Sequence, residues 1–480
     1  MLFNTWTFGA FLVITLAVYW SLPRRGQNYW LLLAGYVFYG WWDWRFLILL
    51  WITTVVDYFV AHRIHEASDV RVKRRWLTFG LSVGLGILGV FKYFDFFSIS
   101  FARLMGVLGW ELSPFLLNVI LPVGVSFYTF QSLAYTIDVY RGRVTPSRDP
   151  LDYAVFVAFF PQLEAGPIER AQNMLPQIGR ERSIDYADIQ YGVWLILIGL
   201  VKKMAVADLC APVVQQLFDD PAAYARSDLL LGIYLFSLQI YGDFSGYTDI
   251  ARGCARLMGF QIMLNFRQPY FSKSVGEFWE RWHISLSTWL RDYLYISLGG
   301  NRRGTRRTYW NLFVTMLLGG LWHGANWTFV VWGVLHGSYL ALHRRLFGAG
   351  GKRRRDEAGR EGAVGLVERL WRLVSVLVTF HCVALAWVFF RAETIHGARD
   401  YLVNLVHSSA AAQISWTEPK RMVPVVWLFG LDLWFWLKDD DRHILMMPSF
   451  WRGLLFGILL VILIIWGSSA GDVPFIYFQF

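Results

Sequence analysis

The sequence has little of what several protein classes depend on. It contains three cysteines in 480 residues, Cys210, Cys254 and Cys382, with no CxxC spacing between them. Such widely separated thiols predict neither a disulfide framework nor a thiolate metal site. Charged residues make up 17% of the chain, against roughly 25% in typical globular domains. This composition excludes a disordered chain and argues against an ordinary soluble protein.

Two kinds of functional pattern are absent as well. The sequence has no HExxH spacing and no Ser/His/Asp constellation, so no reaction can be identified from these motifs. No internal repeat is visible either. The lack of a repeat weakens an interpretation as an inverted-repeat transporter.

Hydrophobic residues are abundant instead. They make up 56% of the chain, and Phe, Trp and Tyr together reach 18%. One membrane span needs about 20 mostly apolar residues, so ten to twelve spans would use roughly 200 to 240 residues. The sequence therefore predicts an all-α polytopic membrane protein with about 10–12 transmembrane helices.

Twelve apolar segments are candidate spans. The first has no basic n-region and no small-residue cleavage site, so we expect a retained span and not a signal peptide. The segments are 5–22, 28–42, 45–61, 76–98, 114–140, 187–206, 229–251, 308–322, 326–343, 365–391, 422–437 and 452–468. Two further segments, 152–168 and 257–300, are interrupted or amphipathic, and we expect them to re-enter or to lie at the interface.

The basic residues give a topology. The net charge is +10, but Lys and Arg occur in short blocks between apolar runs, which the positive-inside rule explains better than a nucleic-acid surface. The loop 207–228 is predicted on the opposite side, and 347–362 is predicted as a cytoplasmic linker. The blocks predicted to be cytoplasmic are Arg24 to Arg25, Arg63 to Arg75, Arg141 to Arg148, Arg302 to Arg307 and Arg344 to Arg355.

His323 is the most informative ionisable residue. It follows Arg307 by 16 residues, or ~24 Å of helix, which places it inside a bilayer core of about 30 Å. Gly319, Gly320 and Gly324 surround it and permit a close approach of helices or of a ligand. From the residues alone, a catalytic imidazole and one hydrogen-bonded within the bundle are equally open.

A second histidine, His283, lies forty residues upstream. An imidazole can accept a proton from a hydroxyl while another polar group orients the reactants. His283, His323 and His336 have no spacing that requires a metal, and we predict none.

A third polar cluster carries Asp243, Ser245 and Asp249 in or near the span 229–251. The two carboxylates are six residues apart and lie on different faces of a helix. Burial against neighbouring helix dipoles or basic residues is the favoured interpretation, and lining of a substrate channel is the alternative.

Several longer motifs resemble those of the membrane-bound O-acyltransferases, specifically the bacterial branch that acts in alginate O-acetylation. Their number and order across nearly the whole chain carry the resemblance. They are YGWWDWRF at 39–46, LPVGVSFYTFQSLAYTIDVYRG at 121–142, FFPQLEAGPIERA at 159–171, YGDFSGYTDIARG at 241–253, FWERWHISLSTWLRDYLYISLGGNRRG at 278–304, GGLWHGANWTFVVWG at 319–333, FHCVALAWVFFRA at 380–392 and the terminal PFIYFQF.

The resemblance implies a bundle around a central tunnel, with His323 as the catalytic histidine and His283 at the second polar position. Asp243, Ser245, Asp249, Trp322 and Asn326 are candidate substrate or tunnel-lining residues. It implies a single O-acyltransferase domain over 1–480, with variable N-terminal spans over about 1–115, a catalytic core over about 116–345 and C-terminal spans over about 365–480.

The implied activity is transfer of an acetyl group from acetyl-CoA, without a permanently bound cofactor, to an exported polysaccharide such as alginate. We expect a multi-pass protein of the bacterial inner membrane. Its expected partners are a periplasmic acetyltransferase and other polysaccharide-modification proteins. A transporter or channel with a proton relay, and a scaffold without chemistry of its own, are the alternatives.

Overall fold

The computed structural model describes residues 1–348, 366–410, 414, 419–438, 440–467 and 475–476. These residues form helices joined by turns and loops, with no β-strand among them. The predicted linker 347–362, apart from its first two residues, and most of the terminal motif PFIYFQF lie outside the described residues. The prediction of an all-α fold is confirmed.

The helices are numbered in chain order. Short 3-10 or π-helical turns connect several of them and carry no number. The helices are α1 (Trp6–Ser21), α2 (Arg24–Asp43), α3 (Leu47–Glu66), α4 (Val70–Leu88), α5 (Phe94–Val107), α6 (Val125–Tyr140), α7 (Pro150–Ala158), α8 (Phe160–Leu163), α9 (Ala171–Gly179), α10 (Tyr186–Leu200), α11 (Asp208–Asp219), α12 (Arg226–Leu257), α13 (Val275–Arg281), α14 (Ile284–Trp289), α15 (Thr305–His323), α16 (Trp327–Phe347), α17 (Leu366–Arg391), α18 (Ile395–His407), α19 (Pro419–Lys438) and α20 (Ser449–Trp466).

Four helical segments are long and apolar enough to cross a membrane: Arg24–Glu66, Val70–Val107, Val367–Arg391 and Ser449–Trp466. The last exposes a row of large aliphatic side chains, Leu460, Val461, Ile464 and Ile465. In water such a surface would be unfavourable, whereas against lipid tails it costs nothing. The chain is therefore a polytopic membrane protein, and the number of ten to twelve spans stays a prediction.

The structure corrects the span predicted over 114–140. Helix α6 begins only at Val125, and residues 111–122 are not helical. Gly124, just before the helix, has a φ of 73°, in the left-handed region that glycine enters without steric cost. Pro122 precedes it, and the residue before a proline is disfavoured in the helical conformation. Because the segment is apolar on both sides of Gly124, its composition does not show where the helix begins.

The structure also corrects the loop predicted over 207–228. Helix α10 continues through a π-helical turn, Val201–Ala207, directly into α11. Helix α11 therefore occupies Asp208–Asp219. The acidic residues suggested a loop, but Asp208 is buried and its Oδ1 lies 2.7 Å from Lys203 Nζ. This local ion pair, between the π-helical turn and the first residue of α11, offsets the cost of burying the carboxylate of Asp208.

The chain forms two compact units. The first contains Met1–Leu200 and Gly246–Leu264. In it α3, α4 and α6 pack against one another, and α2 packs against α7. The segment 152–168 forms the short helices α7 and α8, in agreement with the prediction that it is not a simple crossing.

The second unit contains Val201–Ser245 and Asn265–Ile476. Its main feature is the pair of antiparallel helices α15 and α16, here called the hairpin, with α17 packed on α16. The amphipathic region 257–300 has no long helix after α12, and α13 and α14 are only 7 and 6 residues long. This confirms that 257–300 is not a simple crossing. The division into one domain with three regions stays a prediction.

Candidate active site

His323 is the last residue of α15. Gly324 follows in an extended conformation, and α16 begins at Trp327. A Cβ atom on Gly320 would clash with the carbonyl oxygen of Phe329, so the two helices meet backbone to backbone beside the histidine. The predicted close approach at these glycines is thus observed, and it fixes the place of the imidazole.

His283 lies between α13 and α14 and has an unusual backbone. Its φ of 42° and ψ of 55° are left-handed, which is rare for a residue with a side chain. Asn265 holds the following turn: its carbonyl oxygen accepts from the Ile284 N–H at 2.9 Å, and its side-chain oxygen accepts from the Ser285 N–H at 3.2 Å. The surrounding contacts therefore impose a strained conformation at His283, as often happens at functional sites.

The two histidines, forty residues apart in sequence, meet in the second unit. Their ring centroids are 6.4 Å apart. Both are buried, with 0% of His283 and 3% of His323 exposed. Because the imidazoles come from separate segments, this proximity is a property of the fold and could not be read from spacing.

Aromatic rings enclose this pair, which we call the histidine site. The ring of Trp322 lies 5.9 Å from that of His283, and Phe244 contacts the same imidazole at 4.7 Å. Trp332 and Phe390 lie at 5.0 and 5.2 Å from His323. Such apolar walls disfavour the charged imidazolium and strengthen every electrostatic interaction inside. The arrangement can therefore supply a neutral imidazole as a base and a second one as a hydrogen-bond donor.

Asp243 takes part in a buried charge cluster that the sequence did not reveal. Lys203 Nζ lies 2.8 Å from Asp243 Oδ1 and 2.7 Å from Asp208 Oδ1. The other oxygen of Asp243 accepts from the Ile476 N–H at 2.6 Å. These contacts agree with the favoured interpretation of a carboxylate buried against a basic residue. The two adjacent lysines in the apolar run 187–206 were the available signal for a buried cation.

The cluster lies next to the histidine site. Phe244 follows Asp243 in α12, and its ring contacts both His283, at 4.7 Å, and Phe475, at 5.9 Å. Lys203 and Asp243 thus fix the segment that presents Phe244. Contact with substrate by Asp243 stays a prediction.

The other candidate lining residues are dispersed. Trp322 lies at the histidine site, and Ser245 is buried in α12. Asn326 caps α16, because its side-chain oxygen accepts from the Thr328 N–H at 3.1 Å. Asp249 belongs to the first unit, where Arg252 lies 3.2 Å away. Of the predicted site residues, Trp322 lies with the two histidines. A tunnel-lining role for the remaining candidates stays a prediction.

His336, the third histidine considered for a metal site, has a different environment. Its Nδ1 accepts a hydrogen bond from the indole N–H of Trp279 at 3.2 Å. Its ring also packs on Trp332 at 4.6 Å. These contacts give it a packing role within the aromatic wall.

Comparisons with known proteins agree with this architecture. The model of the membrane-bound O-acyltransferase family matches residues 143–349. The probable alginate O-acetylase of Pseudomonas putida is 45% identical over 400 residues, which cover 82% of this chain and 77% of that protein. The corresponding protein of Pseudomonas aeruginosa is 44% identical, over 81% of this chain and 71% of its own.

A relative with another named acceptor is similar over a comparable part of the chain. The peptidoglycan O-acetyltransferase of Helicobacter pylori is 37% identical over 438 residues, which cover 85% of this chain and 80% of that protein. The family match includes both histidines and the hairpin that carries His323. The chain is a membrane-embedded acyltransferase that belongs to the membrane-bound O-acyltransferase family.

Proposed function

We propose that this acyltransferase moves an acetyl group from acetyl-CoA across the bacterial inner membrane for O-acetylation of an exported polysaccharide such as alginate. The observation that carries the proposal is the burial of His283 and His323 in one aromatic enclosure, with ring centroids 6.4 Å apart. An anionic thioester does not cross a bilayer. Transfer therefore needs a reactive group at membrane depth, and the 16 residues between Arg307 and His323 predict such a depth for this histidine.

His323 acts as the general base. A neutral ring nitrogen takes the proton from the acceptor hydroxyl, and the resulting oxygen attacks the thioester carbonyl. The carbon–sulfur bond then breaks, an oxygen ester forms, and the leaving thiolate takes the proton back from the imidazolium. The histidine is thereby regenerated without any other reactant.

His283 donates a hydrogen bond to the carbonyl oxygen of the thioester. A neutral imidazole has one N–H donor, which orients the thioester and stabilises the charge that develops on its oxygen in the transition state. Trp322 and the other rings exclude water and so limit hydrolysis of the donor. Among the remaining candidates, Ser245 and Asp243 lie in the helix that also carries Phe244.

The acceptor is proposed from the glycans for which the relatives are named. Two of them are named for alginate and one for peptidoglycan, and both are glycans with free hydroxyl groups. We propose an exported polysaccharide on this basis. A periplasmic acetyltransferase and other polysaccharide-modification proteins are the proposed partners that complete transfer to the polymer.

The test is acetyl transfer by a histidine variant. His323→Ala should lower the rate of transfer from labelled acetyl-CoA by about 10²- to 10⁴-fold, the usual contribution of a general base. The matched control is His381→Ala, because His381 is exposed on α17 and hydrogen-bonds the Tyr234 hydroxyl at 2.8 Å. Membrane abundance and thermal stability should be the same in both variants.

The same assay separates the alternatives. A transporter or channel gives no labelled product with the unmodified protein, and a scaffold gives equal polymer acetylation with and without His323. Near-normal transfer by His323→Ala contradicts the assignment of the base.

A further inference from the structure

The hairpin has a second polar feature at the end opposite to His323. Six arginines are concentrated there, four around the start of α15 and two in the last turn of α16. Five are exposed, and Arg344 is half-buried. We call this group the arginine end; it consists of Arg302, Arg303, Arg306, Arg307, Arg344 and Arg345.

The helix packing brings the two groups of arginines together. A Cβ atom on Gly337 would lie 3.0 Å from the Cα of Phe313, so these residues face each other. Arg306 precedes Phe313 by seven residues, or about two helical turns. Arg344 follows Gly337 by the same number of residues. The antiparallel register therefore places Arg306 opposite Arg344.

Hydrogen bonds fix the loop before α15 to the first turns of that helix. The Asn311 amide donates to the Gly300 carbonyl at 2.8 Å, and the Thr308 hydroxyl donates to the Gly304 carbonyl at 3.0 Å. Arg302 and Arg303 lie between these two anchored positions. They therefore stay beside the first turn of α15.

Among the described residues, the arginine end has no carboxylate partner. Residues 293–348 contain no Asp, no Glu and no Lys. Within the described part of the chain, none of the six guanidinium groups lies within ion-pair distance of a carboxylate. A concentration of like charges is unfavourable unless an anion offsets it.

Other basic blocks of the chain differ in this respect. In the first unit Arg25 lies 3.9 Å from Asp149, Arg63 lies 3.8 Å from Glu66, and Arg143 lies 3.8 Å from Asp138. In each of those blocks an arginine therefore has a carboxylate partner in the structure. The positive-inside rule by itself does not require a cluster of arginines that has no carboxylate partner.

We propose that the arginine end binds the phosphate groups of the acyl donor. Guanidinium groups bind phosphate oxygens through paired, charge-assisted hydrogen bonds, which lysine cannot reproduce. Helix α15 leads from Arg307 to His323 over 16 residues, or ~24 Å. In coenzyme A a long pantetheine arm joins the phosphates to the thioester. The inference rests on the proposed function and assigns its donor-binding residues.

The test compares two donors. Acetyl-CoA and acetyl-pantetheine carry the same thioester, but acetyl-pantetheine has no phosphate. In Arg306→Gln/Arg307→Gln, the KM for acetyl-CoA should rise at least about 10-fold with little change in kcat, because charge-assisted bonds are lost. Transfer from acetyl-pantetheine should be unchanged. Higher salt should raise the KM for acetyl-CoA more in the unmodified protein than in the variant.

The control is Arg74→Gln/Arg75→Gln in α4. These adjacent arginines are also exposed, but their basic block contains Glu66 and Asp69, so their variant should match the unmodified protein with both donors. An unchanged KM for acetyl-CoA in Arg306→Gln/Arg307→Gln overturns the inference. Equal losses with both donors overturn it as well, because they indicate a structural effect.

Phospholipid headgroups are the other source of phosphate. The assay is therefore run in detergent without anionic lipid and in vesicles that contain phosphatidylglycerol. A defect that occurs only in vesicles, and equally with both donors, assigns the arginines to lipid and contradicts the inference.

The two proposals fail separately. If the unmodified protein transfers acetyl from neither donor, the proposed function fails. Calorimetric titration of the His323→Ala protein with coenzyme A itself still tests the arginine end, since binding should weaken at least about 10-fold when Arg306 and Arg307 are replaced. Equal binding with and without those arginines excludes their role.

Discussion

The two ends of the α15–α16 hairpin have opposite character. At one end His323 is 3% exposed and contacts the rings of Trp332 and Phe390. At the other end, arginines face the exterior without carboxylate partners among the described residues. Buried polar groups interact strongly because the local dielectric constant is low, whereas exposed charges act at longer range and are screened by salt. The difference suits bond-making at the buried end and anion capture at the exposed end.

The largest expected effect concerns a buried charge. Lys203→Met removes the cation that lies within 2.8 Å of both Asp208 and Asp243. Two buried carboxylates then remain without their partner, which should destabilise the protein by about 3–5 kcal/mol. Thermal unfolding in detergent measures this. Arg306→Gln/Arg307→Gln should leave the unfolding temperature unchanged, because exposed arginines contribute little to stability.

A rescue variant sharpens this prediction. Adding Asp208→Asn and Asp243→Asn to Lys203→Met removes the charges that were left without a partner. Part of the lost stability should return. If the triple variant is no more stable than Lys203→Met, the cost comes from packing and not from the buried charge.

The next effect concerns His283. His283→Ala should lower kcat by about 10²- to 10³-fold, the loss seen when one donor to a developing oxyanion is removed. His283→Asn should retain more activity and more stability. Asparagine offers an N–H donor and tolerates the left-handed conformation, with a φ of 42°, better than alanine does. Steady-state kinetics and thermal unfolding of both variants check this. Equal losses would contradict the role of the donor.

A smaller effect should couple the two ends. A Cβ atom on Gly333 would lie 2.5 Å from the carbonyl oxygen of Met316 and 3.0 Å from the Cα of Leu317. Gly333→Ala should separate the two helices at a cost of about 1–3 kcal/mol. Because both ends depend on this packing, kcat should fall and the KM for acetyl-CoA should rise together.

The matched control is Gly457→Ala in α20, where no atom lies within 4 Å of an added Cβ. Its stability should not decrease, since alanine is the better helix former. A normal unfolding temperature for Gly333→Ala would show that the helices are not held at the observed separation.

Much of the fold follows from local sequence. The spans predicted over 308–322 and 326–343 correspond to Thr305–His323 and Trp327–Phe347, because long apolar runs and a glycine in the turn between them are local signals. The predicted start of α6 was wrong, because an apolar run does not show that Gly124 is left-handed and that the helix begins only after it.

The long-range part of the site could not be predicted. Lys203 and Asp243 are forty residues apart, as are His283 and His323, and only tertiary packing brings each pair together. The sequence identified three of these four residues but not their contacts. Lys203 was missed because it lies within an apolar run that resembles an ordinary span.

The most direct test measures kcat and KM for acetyl-CoA and for acetyl-pantetheine in three proteins: unmodified, His323→Ala and Arg306→Gln/Arg307→Gln. The histidine variant should lose kcat with both donors. The arginine variant should show a raised KM with acetyl-CoA alone. Loss of kcat in the arginine variant with both donors, or a His323→Ala protein that keeps its kcat, would contradict the division of work between the two ends of the hairpin.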